Sequence, residues 1–485
     1  MQSKNKATSC LYILLLSIYS IGDLSCKKLI QIDAPKNAVA DKNIFETDAT
    51  AIAVMNTAYI KMSNNGGLRN GSIASVTLYA ALSADELAMY PGVTNQMILG
   101  YYKNALNYTN ITETPIWDGG YNAIYIANSA IEGLNQSKGL TPNVKTQLLG
   151  EAYFIRALNY FYLTNLYGDI PLALSTNYAV NATLSRSPKA QVWEQIVSDL
   201  GKAKELLSDK YLGGTLLGSS AERVRPSKWT AIAALARTYL YLKKYAEAAT
   251  ESSALIGNPL FTLEPLNNVF LKTSRECIWS VQPVTNGTIS NSEEGRVFIL
   301  PAEGPTLNGY YYYLDKKFYD LYGDADQRKL NWINSVTVTV NGIPIRYYYP
   351  FKYKIGGVDV PATEYSQVFR LAEQYLIRAE AKAKQNDIPG ALDDLNAIRN
   401  RAGLVDTTIT GKPEILDAIM KERRLELFLE YGHRWLDLKR TNRVDDVMTS
   451  AAADKGGQWK PFKIWYPLSE TELKRSPALK QTEGY

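Results

Sequence analysis

Residues 371–403 read LAEQYLIRAEAKAKQNDIPGALDDLNAIRNRAG, and residues 228–259 read KWTAIAALARTYLYLKKYAEAATESSALIGNP. In the first stretch Ala379 and Ala391 stand twelve residues apart, and in the second Ala236 and Ala248 do the same. Small side chains at that spacing let the two helices of a hairpin approach closely, one helix running out and the next returning. Tyr239, three residues after Ala236, fits the same pattern. The two stretches are not contiguous, and a generic helical hairpin accounts for the same letters.

Outward from this pair, the body reads as amphipathic helices of the tetratricopeptide-like kind. Residues 44–62 carry Ile44, Ile52, Met55, Tyr59 and Met62 at three- and four-residue steps, and residues 117–135 carry Trp117, Tyr121, Ile124, Tyr125 and Ile131. Residues 145–167 are aromatic-rich and stop at Gly168-Asp169-Ile170-Pro171, while residues 189–208 start after Ser187-Pro188. The expected fold is therefore mostly α.

The texture changes over residues 260–360, which are rich in Gly, Pro, Asn and Tyr. This reads as a long irregular insertion containing a small β-hairpin. Val336 to Val340 alternates, Asn341-Gly342 forms the turn, and Ile343 to Tyr349 returns, with Pro344 marking an edge strand. A second irregular stretch, residues 63–115, holds Tyr79, Tyr90, Tyr101, Tyr102 and Tyr108. Long loops on a rigid scaffold are common places for binding sites.

The chain has 485 residues, 46% of them apolar, with 53 basic and 48 acidic side chains giving a net charge of +5. Length alone would suit about three domains. Charge is nearly balanced and forms no Lys/Arg stripe, so nucleic acid is not an expected partner. With a single histidine, His433, a His-rich zinc site is excluded, and a Ser-His-Asp triad would have to use it. Of three cysteines, Cys10 and Cys26 lie near the N-terminus, which leaves Cys277 as a lone thiol in the body.

Tyrosine dominates the aromatics, with 34 Tyr against 11 Phe. Its hydroxyl suits half-wet surfaces and polar ligands. Tyr310, Tyr311, Tyr312 and Tyr313 run unbroken after the loop from Pro301 to Gly309. In extended backbone alternate rings face one side, where they can stack on sugar rings while their hydroxyls bond sugar oxygens. The same run can equally pack the insertion against the helices. Tyr90, Tyr101, Tyr102 and Trp332 are further candidates for ligand contact. Asp85 and Asp118 read as caps or turn residues.

Residues 419–440 offer an apolar face of Ile419, Leu425, Phe428, Leu429, Trp435 and Leu438. Glu422, Glu426 and Glu430 follow at four-residue steps, where like charges repel by about a few tenths of a kcal/mol. Arginine partners from this or another helix are expected, as a structural ion network. His433 follows Gly432 at an expected helix end and reads as structural.

The N-terminus reads as an address. Lys4 and Lys6 precede the apolar run from Leu11 to Ile21, too short to span a bilayer. Ser25-Cys26 follows and resembles a bacterial lipoprotein processing site, so Cys26 is the expected lipidation site. Residues 1–25 are then the signal peptide and residues 26–40 a lipidated tether.

Five segments in order resemble the SusD/RagB family of outer-membrane nutrient-binding lipoproteins: CKKLIQIDAPKNAVADKNIFETDATA at 26–51, GEAYFIRALNYFYLTNLYGDIPL at 150–172, ERVRPSKWTAIAALARTYLYLKKYAEA at 222–248, IMKERRLELFLEYGHRWLDLKRTN at 419–442, and WYPLSETELKRSPALKQTEGY at 465–485. The resemblance implies one SusD-like domain over residues 41–485. Its N-terminal part covers about 41–250, the ligand-binding insertion about 260–360, and the C-terminal part about 361–485. It implies four tetratricopeptide-like units, a SusC-like TonB-dependent transporter as partner, and a place on the outer membrane facing the cell exterior. The cargo it implies is an oligosaccharide or a peptide, with no cofactor, no metal and no catalytic residue. A secreted glycoside hydrolase would need a pair of carboxylates that no motif marks, and a helical-repeat protein-binding adaptor would not need the aromatic insertion.

Replacing Cys26 with Ser is expected to move the protein from the membrane fraction to the soluble one; unchanged attachment would rule out lipidation there.

Overall fold

The computed structural model describes residues 42–63, 75–109, 111, 114–283, 288 and 290–485. The signal peptide at 1–25, Cys26 and the tether at 26–40 lie outside the described residues. The helices in chain order begin with α1 (Asp48–Ser63), α2 (Ser75–Ser83), α3 (Gln96–Tyr102), α4 (Pro115–Gln136), α5 (Pro142–Tyr167) and α6 (Lys189–Leu206). There follow the hairpin α7 (Lys228–Tyr241) and α8 (Tyr245–Ile256), and the hairpin α9 (Leu371–Lys384) and α10 (Ile388–Arg401). The last are α11 (Lys412–Glu426), α12 (His433–Arg440), α13 (Val444–Asp454) and α14 (Glu470–Arg475). Shorter helical turns punctuate the loops.

Local chemistry sets the helix ends. Pro115 and Pro142 open α4 and α5, where a missing N–H costs nothing because no intrahelical partner exists. Gly168, at φ +77°, closes α5. Between α9 and α10, Asn386 takes φ +67° and Asp387 accepts the Gly390 N–H at 3.0 Å, which turns the chain and starts the next helix.

The small-residue pattern does what its spacing requires. Ala236, Ala248, Ala379 and Ala391 are all fully buried. Leu240 and Ala248 of the first hairpin share a core cluster with Ile377 and Ala381 of the second. The two hairpins are separated by more than a hundred residues of sequence, yet they are adjacent in space. Helices α4 to α10 thus pack each on the next, and α11 closes the stack against α9 and α10 through Ile415 and Ile419.

Among the described residues six short strands form three antiparallel pairs: β1 (Leu87–Met89) with β3 (Tyr312–Leu314), β2 (Cys277–Val281) with β6 (Ser366–Arg370), and β4 (Ile333–Val340) with β5 (Ile343–Pro350). The third is the expected hairpin, extended by three residues at its start. Asn341 at φ +51° and Gly342 at φ +82° give the turn whose twist matches its strands. Pro344 pairs with Thr339 next to the turn. The other two pairs carry no turn signal because their strands are far apart in sequence. Cys277 lies in the buried strand β2, and burial pushes its thiol up to about 12.

Residues 419–440 are not one continuous helix. Helix α11 stops at Glu426, and α12 begins at His433 after a bend in which Leu429, Tyr431 and Gly432 all have positive φ. His433 therefore starts a helix rather than ending one. Gly432 packs against α2, where a Cβ would sit 2.9 Å from the side chains of Val76 and Ala80. The ring of His433 is buried 3.9 Å from Glu373, and burial together with nearby Arg237 and Arg423 holds it neutral.

The glutamate ladder is satisfied from outside its own helix. Arg328 reaches Glu422 at 2.6 Å and Glu426 at 3.1 Å. Arg370 of β6 reaches Glu426 at 2.6 Å, Glu430 at 2.7 Å and Glu276 at 2.8 Å. Arg401 joins Glu276 and Glu426, and Lys352 donates to Glu430 at 2.5 Å. The neighbouring arginines go elsewhere: Arg423 to Asp437, and Arg424 and Arg434 to Asp85. Burial pushes the Glu426 carboxyl upward, but Arg401, Arg370 and Arg328 outweigh it and hold it well below the usual carboxylate range.

Two outcomes follow from this packing. Gly432→Ala is expected to lower stability by about 1–3 kcal/mol, because a side chain is forced into left-handed backbone against α2. An unchanged thermal midpoint would contradict that. Glu426→Gln is expected to cost about 3–5 kcal/mol, the scale of a broken buried pair. Its folded value lies below the unfolded one, so Glu426 adds stability above the ordinary glutamate value of 4.5 and loses it as pH falls. Urea midpoints should therefore drop less steeply on acidification in the variant than in the wild type; identical slopes would contradict this.

Candidate functional site

The tyrosine run is placed by the pairing of β1 with β3. Ala88 faces Tyr313 and Met89 faces Tyr312 in register, and the Tyr90 N–H donates to the Tyr311 carbonyl at 2.8 Å. In extended backbone the rings alternate as the pattern requires. Tyr312 points inward, fully buried, with its ring 6.4 Å from Phe298. Tyr311 and Tyr313 are half-buried, as is Tyr310 before them.

The β4–β5 hairpin supplies the rest of the surface. The Tyr313 ring meets Tyr347 of β5 edge-on at 5.0 Å. Burial, and then the nearby hydroxyls of Tyr102 and Tyr347, push the Tyr313 hydroxyl up to about 12. Tyr347 is raised by burial and then by Tyr90. Tyr90, Tyr102, Tyr313 and Tyr347 thus lie close enough to affect one another, and each is half-buried. Nearby, Tyr348 stacks on Tyr319 at 3.7 Å, and the Lys329 ammonium sits 5.1 Å from the Tyr319 ring. The loop before the run packs on the hairpin at Gly304, which has φ +77° and where a Cβ would sit 2.7 Å from the Val338 side chain, so a larger residue has no room.

Three sequence candidates are structural instead. Trp332 is fully buried, donates its indole N–H to the Leu266 carbonyl at 2.9 Å, and lies 4.9 Å from the Lys352 ammonium and 5.4 Å from the Arg401 guanidinium. It covers the ion cluster and presents no face to solvent. Tyr101 is buried between Tyr79 at 4.4 Å and Tyr466 at 5.0 Å. Tyr312 packs inward as described. Among the carboxylates, Asp85 is an ion-pair acceptor for Arg424 and Arg434, while Asp118 accepts the Thr114 N–H at 3.3 Å at the start of α4. Sequence reading missed Tyr319, Tyr347 and Tyr348; the letters IRYYYP at 345–350 marked a strand, and their aromatic face was the available signal.

The profile described as starch-binding and associating with the outer membrane matches residues 39–240, and that of the SusD family matches residues 308–485. The chain belongs to the SusD/RagB family. A SusD-like protein of Formosa agariphila is 27% identical over 90% of both chains. A solved SusD superfamily protein of Bacteroides vulgatus superposes with a TM-score of 0.76 at 20% identity, covering 90% of this chain and 99% of the other. A laminarin-binding SusD-like protein superposes with a TM-score of 0.73 at 23% identity, covering 91% of this chain and all of the other. The fold is thus SusD-like over nearly the whole described chain. Among the described residues no helix is long and apolar enough to cross a membrane, and no group of acidic, His or Cys side chains is arranged to hold a metal ion.

Proposed function

We propose that this protein is a cell-surface lipoprotein of the outer membrane that captures an oligosaccharide and delivers it to a SusC-like TonB-dependent transporter. The tyrosine surface carries this reading. Tyr311, Tyr313, Tyr347, Tyr90 and Tyr102 combine half-exposed rings with hydroxyls at one place on a rigid frame. Ring faces pack on the apolar faces of sugars, and phenol hydroxyls both donate to and accept from sugar hydroxyls. The laminarin-binding relative of like fold supports a glycan over a peptide as cargo.

The lipid on Cys26 anchors the chain to the outer leaflet, and the body holds its cargo without altering it. The surface aromatics need no catalytic partner for that task. The acidic residues beside them, Asp315 and Asp320, serve as a helix cap and in an exposed pair with Lys316.

The test is calorimetry with laminarin and a panel of neutral oligosaccharides on the wild type and the double variant Tyr311→Ala, Tyr313→Ala. Affinity is expected to fall by about 1–3 kcal/mol, the scale of base–aromatic stacking. Wild-type affinity in the double variant would remove the tyrosine surface from the account, and release of free sugars by the wild type would favour a hydrolase.

A further inference from the structure

A concave feature elsewhere on the molecule shares no residue with the tyrosine surface. It is a cavity of about 420 Å³ between α4, the loop at 171–184 and the C-terminal α14. That size is in the range of small-ligand pockets. One face of α4 supplies Trp117, Tyr121 and Tyr125 at four-residue steps, the spacing that aligns side chains along a helix. Tyr125 is 37% exposed, whereas Trp117 forms the floor at 2%.

The polar groups of the cavity are fixed in position and rich in acceptors. The Trp117 N–H donates to Glu472 at 3.2 Å, and the Tyr121 hydroxyl donates to the Pro171 carbonyl at 2.7 Å. Asp118 is held by the Thr114 N–H. Its carboxyl is raised, first by burial and also by Glu472 nearby. Asn181 donates its amide to Ser175 at 2.8 Å, which leaves its buried carbonyl oxygen without a hydrogen-bond partner. That oxygen is closed to solvent, so the side-chain acceptors the cavity offers are the carboxylates of Asp118 and Glu472. The carboxylates of Asp118 and Glu472 outnumber the one arginine of the cavity, Arg475, so anionic ligands are disfavoured.

We propose that this groove is a second saccharide-binding site, taking a neutral, hydroxyl-rich sugar whose ring packs on Tyr125 and whose hydroxyls donate to Asp118 and Glu472. Sugar hydroxyls are the donors that such an acceptor set lacks, and the ring of Tyr125 supplies the apolar contact. The site stands on its own residues and does not depend on the tyrosine surface binding anything.

Hydrogen–deuterium exchange of the full chain with millimolar maltohexaose or laminarihexaose tests this. Protection is expected over residues 115–128 and 470–479, and it should persist in the Tyr311→Ala, Tyr313→Ala variant. Tyr125→Ala should weaken that protection by about tenfold in apparent Kd, equivalent to about 1.4 kcal/mol, without changing the thermal midpoint. Asp118→Asn keeps the Thr114 contact and should also weaken it. No protection by either sugar, or protection by spermidine alone, would overturn the proposal. Loss of groove protection in the double tyrosine variant would overturn it too, by making the groove a remote reporter of the other surface. Groove protection in the wild type with none at residues 310–313 would instead sink the tyrosine surface and leave the groove standing.

Discussion

The buried ion cluster around Glu426 is the constraint on which the rest of the structure depends. Isolated charges at that depth would cost several kcal/mol each, and they are tolerable only when every partner is in place. The partners come from widely separated parts of the chain: Glu276 just before β2, Arg328 from the short helical turn ahead of the hairpin, Lys352 just after it, Arg370 from β6 and Arg401 from α10. A half-assembled cluster would be worse than none. Frame and insertion are therefore expected to form together. Trp332 covers the cluster, which is why so large an aromatic in the insertion is unavailable to a ligand.

Once the cluster fixes the two ends of the insertion, the tyrosine surface follows. Arg370 is the last residue of β6 and immediately precedes α9, so the insertion returns directly into the second hairpin of the stack. The stretch between carries the β4–β5 hairpin, and β3 pairs with β1 from the N-terminal part of the chain. Tyr313 and Tyr347 meet edge-on because these two pairs lie against each other. Ring positions are thus set by backbone pairing. Pre-ordered side chains of this kind lose little entropy on binding.

Much of this was legible in the sequence, and the rest was hidden for definite reasons. Helices with a strong period and a Pro or Gly boundary appeared where expected, as did the Asn341-Gly342 hairpin, because those signals are local. The alanine spacing revealed two hairpins but could not show that they touch, since that contact is made across the intervening insertion. A helix end at Gly432 was expected, but the earlier stop at Glu426 and the new helix from His433 were missed because apolar residues continue through the bend. Tyr311 and Tyr313 were separated from Tyr312 by simple alternation. Tyr101 and Trp332 were not distinguishable from surface rings, because burial of such an aromatic is decided by partners such as Tyr466 and Lys352 that lie far along the chain.

The central claim is that an ordered tyrosine face holds a sugar. The most direct measurement is a crystal structure of the protein saturated with an oligosaccharide that it binds. The account predicts an intact saccharide with a ring within about 4 Å of Tyr311 or Tyr313 and the frame unmoved. Density showing that face bare in a saturated crystal, or a cleaved sugar upon it, would contradict the account.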